Sequence, residues 1–181
     1  MNAIRLLSAS AVLALALGFG TAVAADTDTV SASAKADIIT AITVSKTSDL
    51  AFGRAAVPTS AGTTTIILST GNVQSGTADF VSTQTTSNAV FAVSGEGTYA
   101  YTPQITVTSA GETGLTLSAM KGKCGAGADQ SLTVGSATSL TGCALTAGAD
   151  TVKVGGTLSI GTGAATGTKT VGTIQVVVAY N

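Results

Sequence analysis

Val30-Ser31-Ala32-Ser33-Ala34-Lys35-Ala36-Asp37-Ile38-Ile39-Thr40-Ala41-Ile42-Thr43-Val44 alternates apolar and polar side chains with a period of two. Val30, Ala32, Ala34, Ala36, Ile38, Ile42 and Val44 share one parity, interrupted only by Thr40, while Ser31, Ser33, Lys35, Asp37 and Thr43 fall on the other. Successive side chains of an extended chain point to opposite faces, so the pattern predicts a strand with one buried face. Fifteen residues at about 3.4 Å each would span roughly 50 Å, whereas an ordinary strand covers about 17–20 Å. The run is therefore expected either to bend between two sheets or to leave its own domain.

Working outward, the chain is rich in Thr, Ser, Val, Ala and Gly and poor in strong helix formers, which favours strands and turns. Further strands are expected at 49–52, 63–69, 78–81, 90–94, 99–107, 115–119, 131–134, 152–154, 157–160 and 171–180. Gly53, Gly62, Gly71, Gly76, Gly95, Gly97, Gly111, Gly114 and the Gly155-Gly156 pair punctuate them. Many short strands joined by turns suit an all-β, two-sheet sandwich. Ile174, Val176, Val178 and Tyr180 alternate again, and this last strand is expected to close the domain. Phe52 and Phe91 join Ile38, Ile42, Val44 and these four as the expected core-strand pattern.

The amino terminus carries one cation, Arg5, then an apolar run from Ala11 to Phe19, then Thr21-Ala22-Val23-Ala24-Ala25 before Asp26. This is the layout of a secretory signal peptide over residues 1–25, and its apolar run is shorter than the roughly 20 residues of a spanning helix. The expected organisation is thus a signal peptide at 1–25, an amino-terminal extension at 26–36 and one β-sandwich domain at 37–181. The expected location is the periplasm and then the cell surface or an extracellular filament, with no membrane span in the mature chain. Export into an oxidising compartment lets Cys124 and Cys143, with 18 residues between them, form a disulfide.

Histidine is absent, which removes Ser-His-Asp and Cys-His nucleophiles and His-based zinc sites. Eight Lys and Arg against nine Asp and Glu offer no concentrated basic run for a nucleic-acid backbone. The carboxylates are spread along the chain, with no spacing that favours an acid pair or a calcium loop. Gly125-Ala126-Gly127 and Gly161-Thr162-Gly163 lack the Gly-Lys-Ser/Thr of a phosphate loop and read as turns. Tyr99, Tyr101 and Tyr180 would make a sugar platform only if exposed together. No enzyme, metal or cofactor is expected.

The pieces Ile42-Thr43-Val44, Asp49-Leu50-Ala51-Phe52-Gly53, Phe91-Ala92-Val93-Ser94-Gly95, Val154-Gly155-Gly156-Thr157-Leu158 and Gly172 to Asn181 carry a family resemblance over residues 30–181. The chain resembles secreted bacterial β-domains known only as a domain of unknown function of the 4402 type. These are similar in style to the spore-coat-U-like subunits of archaic chaperone-usher pili. In one place the chain departs from the pattern: Gly167-Thr168-Lys169-Thr170 puts Lys169 where family members carry an aromatic. The resemblance implies an immunoglobulin-like or pilin-like sandwich with Greek-key connections and no enzymatic activity. By analogy it also implies a pilus subunit, with a homopolymer of identical subunits, a periplasmic chaperone and an outer-membrane usher as partners. Main-chain pairing with knobs in alternate pockets is the physics of strand donation, and Val30, Ala32, Ala34 and Ala36 are the candidate donor knobs. The competing readings are a non-assembling surface protein and an adhesion or carbohydrate-binding module.

Overall fold

The computed structural model describes residues 28–60, 63–81 and 85–181. The expected signal peptide at 1–25 lies outside the described residues. Two compact units divide the chain, 1–37 and 38–181. In the first, residues 28–37 form no strand and all are exposed, Val30 by 86%.

The second unit is built of antiparallel strands, with no helix among the described residues. In chain order they are β1 (Thr43–Ser48), β2 (Thr63–Leu68), β3 (Gln74–Gly76), β4 (Ala89–Ser94), β5 (Ala100–Ser109), β6 (Leu115–Cys124), β7 (Gln130–Ser131), β8 (Ala137–Ser139), β9 (Cys143–Ala144), β10 (Ala149–Gly161) and β11 (Gly172–Tyr180). Seven strands make one sheet around β10, which pairs on one edge with β6 and on the other first with β4 and then with β2. β7 extends it beyond β6, β1 beyond β4 and β3 beyond β2. In the other sheet β5 lies between β11 on one side and the short β8 and β9 on the other. The two sheets enclose one core, the arrangement of a β-sandwich.

Alternation decides which face is buried. Ala89, Phe91 and Val93 of β4, Leu117 and Met120 of β6, and Val152, Val154, Leu158 and Ile160 of β10 meet Tyr101, Ile105 and Val107 of β5. Each large apolar side chain removed from water contributes about 1.5–3 kcal/mol before entropy is charged against it. Ile42, Val44, Ile174, Val176, Val178 and Tyr180 pack against this core while remaining partly exposed.

Several expectations change: the strands expected at 49–52 and 78–81 reduce to single bridges at Ala51 and Phe80, where the chain makes one pairing and turns away. The long amino-terminal strand does not form: β1 begins at Thr43, opposite Ser94, the last residue of β4. Among the described residues none pairs with 28–42 in a ladder, and their Val and Ala side chains bury too little area to hold them extended alone. Ile38 accordingly is 88% exposed and stands outside the core. The expected break at Gly155-Gly156 is also absent, because β10 runs through it. Here the β6–β10 register slips by one residue, Ala119 takes φ 43°, and the Met120 sulfur occupies the space where a Gly156 Cβ would sit. Glycine marks a bulge in a continuous strand, the other meaning of glycine in a β pattern.

Candidate functional site

Besides the bonds of Gln130 in β7 with Thr141 between β8 and β9, three ties join the sheets, and these three lie at the same end of the sandwich. Cys124, the last residue of β6, is bonded to Cys143 of β9 with their Cα atoms 5.5 Å apart, linking the first sheet to the second. Next to it, Cys143 pairs with Tyr101 and Cys124 with Val152. The Tyr101 hydroxyl donates to Asp150 Oδ2 at 2.8 Å, joining the central strands β5 and β10. Burial, and then the hydrogen bond to Asp150, pushes the Tyr101 phenol above its ordinary range, so it stays protonated and keeps donating. Tyr101→Phe removes a donor from a carboxylate whose remaining bond comes from the Thr151 N–H at 2.7 Å. The expected loss is about 1.5 kcal/mol, near the lower bound for a bond to a charged group because Asp150 is half-exposed. A urea midpoint unchanged from wild type would refute it.

The third tie is a clasp around Tyr180. Its hydroxyl accepts from the Glu96 N–H at 2.6 Å and donates to the Thr40 carbonyl at 2.9 Å. Thr40 returns two bonds to Glu96 Oε2, from its hydroxyl at 2.6 Å and its N–H at 3.3 Å. Gly95 makes room for this, since a Cβ there would overlap the Tyr180 hydroxyl. Tyr99 meets the Tyr180 ring edge-on with centroids 5.9 Å apart. The Thr40 side chain, then its backbone, hold the Glu96 carboxyl below its ordinary 4.5. A lowered carboxylate pKa stabilises the fold above the unfolded value, and that contribution is lost as pH falls through the folded value. Below pH 4.5 wild type should therefore lose melting temperature faster than Glu96→Gln. Parallel curves for the two proteins would remove Glu96 from the acid response.

The opposite end has neither disulfide nor tyrosine clasp among the described residues. There a groove of about 550 Å³ opens between β1 with β4 and the start of β11. Phe52, Ala89, Phe91, Leu117, Val171 and Ile174 supply its apolar lining. Lys46, bonded to Asp49 at 2.7 Å, and Lys169, 3.6 Å from Glu112, stand at its mouth. The groove lies between two sheet edges: among the described residues β1 pairs only with β4, and β11 only with β5. Alternate residues along nine-residue β11 turn their N–H and C=O groups away from β5, and no strand of the described residues receives them.

The sequence-derived residues divide accordingly. Cys124 and Cys143 are brought together, Phe52, Phe91 and Ile174 line the groove, and Val176, Val178 and Tyr180 continue along β11. Val30, Ala32, Ala34, Ala36 and Ile38 are all exposed. The three tyrosines are not gathered into one platform, because Tyr101 is fully buried. Thr40, Glu96, Asp150 and Lys46 escaped the sequence reading. Of these only Glu96, between two glycines, stood in a context that marked a specific turn.

Among the described residues no helix is long and apolar enough to cross a membrane, and no three Asp, Glu or Cys side chains gather as metal ligands. The sequence profile described as "Domain of unknown function (DUF4402)" matches residues 42–180. No curated protein and no solved structure matches the chain.

Proposed function

The chain belongs to this family of domains of unknown function, which covers the whole sandwich from Ile42 to Tyr180, and from that premise we propose that it is a non-enzymatic building block of the bacterial cell surface. In the fuller form of the proposal it is a subunit of a filament. The Val30–Ala36 segment of one copy adds as a strand to the free edge of β11 in the next, over the groove between β11 and β1. Identical subunits are then its main partners, with a periplasmic chaperone and an outer-membrane usher guarding the open seam before assembly. The sandwich is on this reading immunoglobulin-like, with the closing strand supplied by a neighbour.

The observation that carries this reading is the open apolar groove beside an unpaired nine-residue strand edge. Main-chain bonding to such an edge gives affinity, and the groove takes every second side chain. The donor is of fitting length, since seven residues span about 24 Å and the β11 edge about 31 Å. Its exposed knobs now include Ile38, which shares their parity and adds one large apolar side chain to a set otherwise made of Val and Ala. The inter-sheet disulfide supports an oxidising, exported location.

A second reading, a surface β-sandwich that does not assemble, is favoured by one fact: the family match starts at residue 42 and leaves the extension outside it. Electron microscopy of material sheared from the producing cell, with mass spectrometry for this chain, separates the two. Filaments containing the chain support donation. Recovery of the chain only as monomer, at the surface or in the medium, supports the second reading.

A further inference from the structure

Three of the eight cations stand together on the outer face of the seven-stranded sheet. Gly122 and Cys124 of β6 and Val152 and Val154 of β10 are buried, so Lys121, Lys123 and Lys153, at the alternate positions, face outward. Lys123 and Lys153 are directly opposed across the β6–β10 ladder, and Lys121 lies two residues along. No carboxylate lies within 4 Å of any of the three among the described residues, whose ion pairs involve Lys46 and Lys169. Like charges directly opposed in a sheet are destabilising. In a chain with net charge -1, this face concentrates positive potential and leaves it unneutralised.

A second feature adjoins it. Where β10 changes partner from β4 to β2, the sheet forks and leaves a cleft of about 220 Å³ beside Lys153. Hydroxyls and amides of Ser48, Thr70, Asn72, Ser87 and Asn88 line it, and no carboxylate does. Asn88 is buried and fixed by bonds to the Ser69 and Val154 carbonyls at 2.6 and 3.4 Å, so the wall is rigid. Among the described residues Asp129 is the one carboxylate bonded to a lining residue, through the Thr70 hydroxyl. The cleft is smaller than the roughly 300–1,000 Å³ of a site for a whole small molecule. It suits one unit of a longer chain.

We propose that this face binds an anionic polysaccharide: the lysines hold carboxylate or sulfate groups spaced along the polymer, and the polar cleft at the fork seats one sugar unit through hydroxyl hydrogen bonds. Lysine ammonium groups act as mobile point charges and do not demand the planar, two-pronged geometry that arginine does, which matches a repeating polymer better than one fixed anion. The face lies on a different sheet surface from the groove, and the proposal does not depend on strand donation.

The test uses the exported chain, residues 26–181, titrated calorimetrically with polygalacturonate, dextran sulfate, neutral dextran and duplex DNA. Binding to either charged polysaccharide is expected, weakening as salt is raised from 50 to 300 mM, with none to neutral dextran. Lys123→Gln with Lys153→Gln should lower the affinity at least tenfold without lowering the melting temperature, because it removes a like-charge opposition. If that double variant folds poorly, Lys153→Gln alone should still lower affinity severalfold. Polygalacturonate binding with no dextran sulfate binding would assign carboxylates, and the reverse would assign sulfates. Absence of binding to both, equal binding to neutral dextran, tighter binding to DNA, or lysine variants that bind like wild type would each overturn the proposal.

Discussion

Replacing Cys124 and Cys143 together by serine is expected to lower the unfolding free energy by about 3 kcal/mol. The loop they close has 18 residues between its ends, and releasing it restores conformational freedom to the unfolded chain. The native state loses as well. β9 is two residues long and is held to β5 by two pairings, so the disulfide is its main attachment to the rest of the sandwich. Both sulfurs belong to buried residues, and the serine hydroxyls would need partners there. For a domain of this size the melting temperature should fall by about 6–12 °C. Urea unfolding of the double variant beside the oxidised wild type measures it, and a difference below 1 kcal/mol would show that apolar packing alone holds β9. Reducing wild type should reproduce the variant.

The second large effect is expected from the proposed strand donation: it falls on assembly and leaves stability untouched. Val30→Asp with Ile38→Asp places charges on two side chains that are 86% and 88% exposed in the single chain. Nothing in the folded monomer resists the change, so its melting temperature should stay within about 1 °C of wild type, as for other exposed sites. Inserted over the apolar groove of a neighbour, the same carboxylates would be stripped of water without a partner, at a cost of several kcal/mol. Filaments should therefore vanish from sheared preparations while secreted monomer accumulates. Unchanged filament yield would defeat strand donation by this segment. A lowered melting temperature would show instead that the segment pairs within its own chain.

The parity of side chains made much of the sandwich readable. Strands at 63–69, 90–94, 99–107 and 171–180 form close to the expected bounds, because each alternates or carries β-branched residues between clear turns. Short β8 and β9 had no such pattern, since two or three residues cannot show a period, and they are strands only because β5 lies beside them. At the amino terminus the pattern was strong and the strand absent, because alternation signals a face seeking burial and cannot say whether a partner is present. The site was less legible. The clasp needs Thr40, Glu96 and Tyr180 to meet from positions up to 140 apart, and the Lys123–Lys153 opposition follows from β6–β10 register alone. Neither is a spacing in the sequence.

The clustering of the disulfide, the Tyr101–Asp150 bond and the Tyr180 clasp at one end has a mechanical consequence on the proposed reading. Tension along a chain of donated strands would enter each copy at Thr40, where the extension joins the domain and the Tyr180 clasp grips it. From there the load would pass along the ladder of β1 against β4, which would resist in shear, with several hydrogen bonds strained at once. The covalent staple and the Tyr101–Asp150 bolt stand at the same end, so the stiff part of the molecule takes the pull. The far end, with the groove, the partly exposed Lys169–Glu112 pair and backbone bonds such as Ala110 N–H to the Val171 carbonyl, would carry less of that force. On the proposed strand donation, one domain would thereby be rigid under traction and open to an incoming strand.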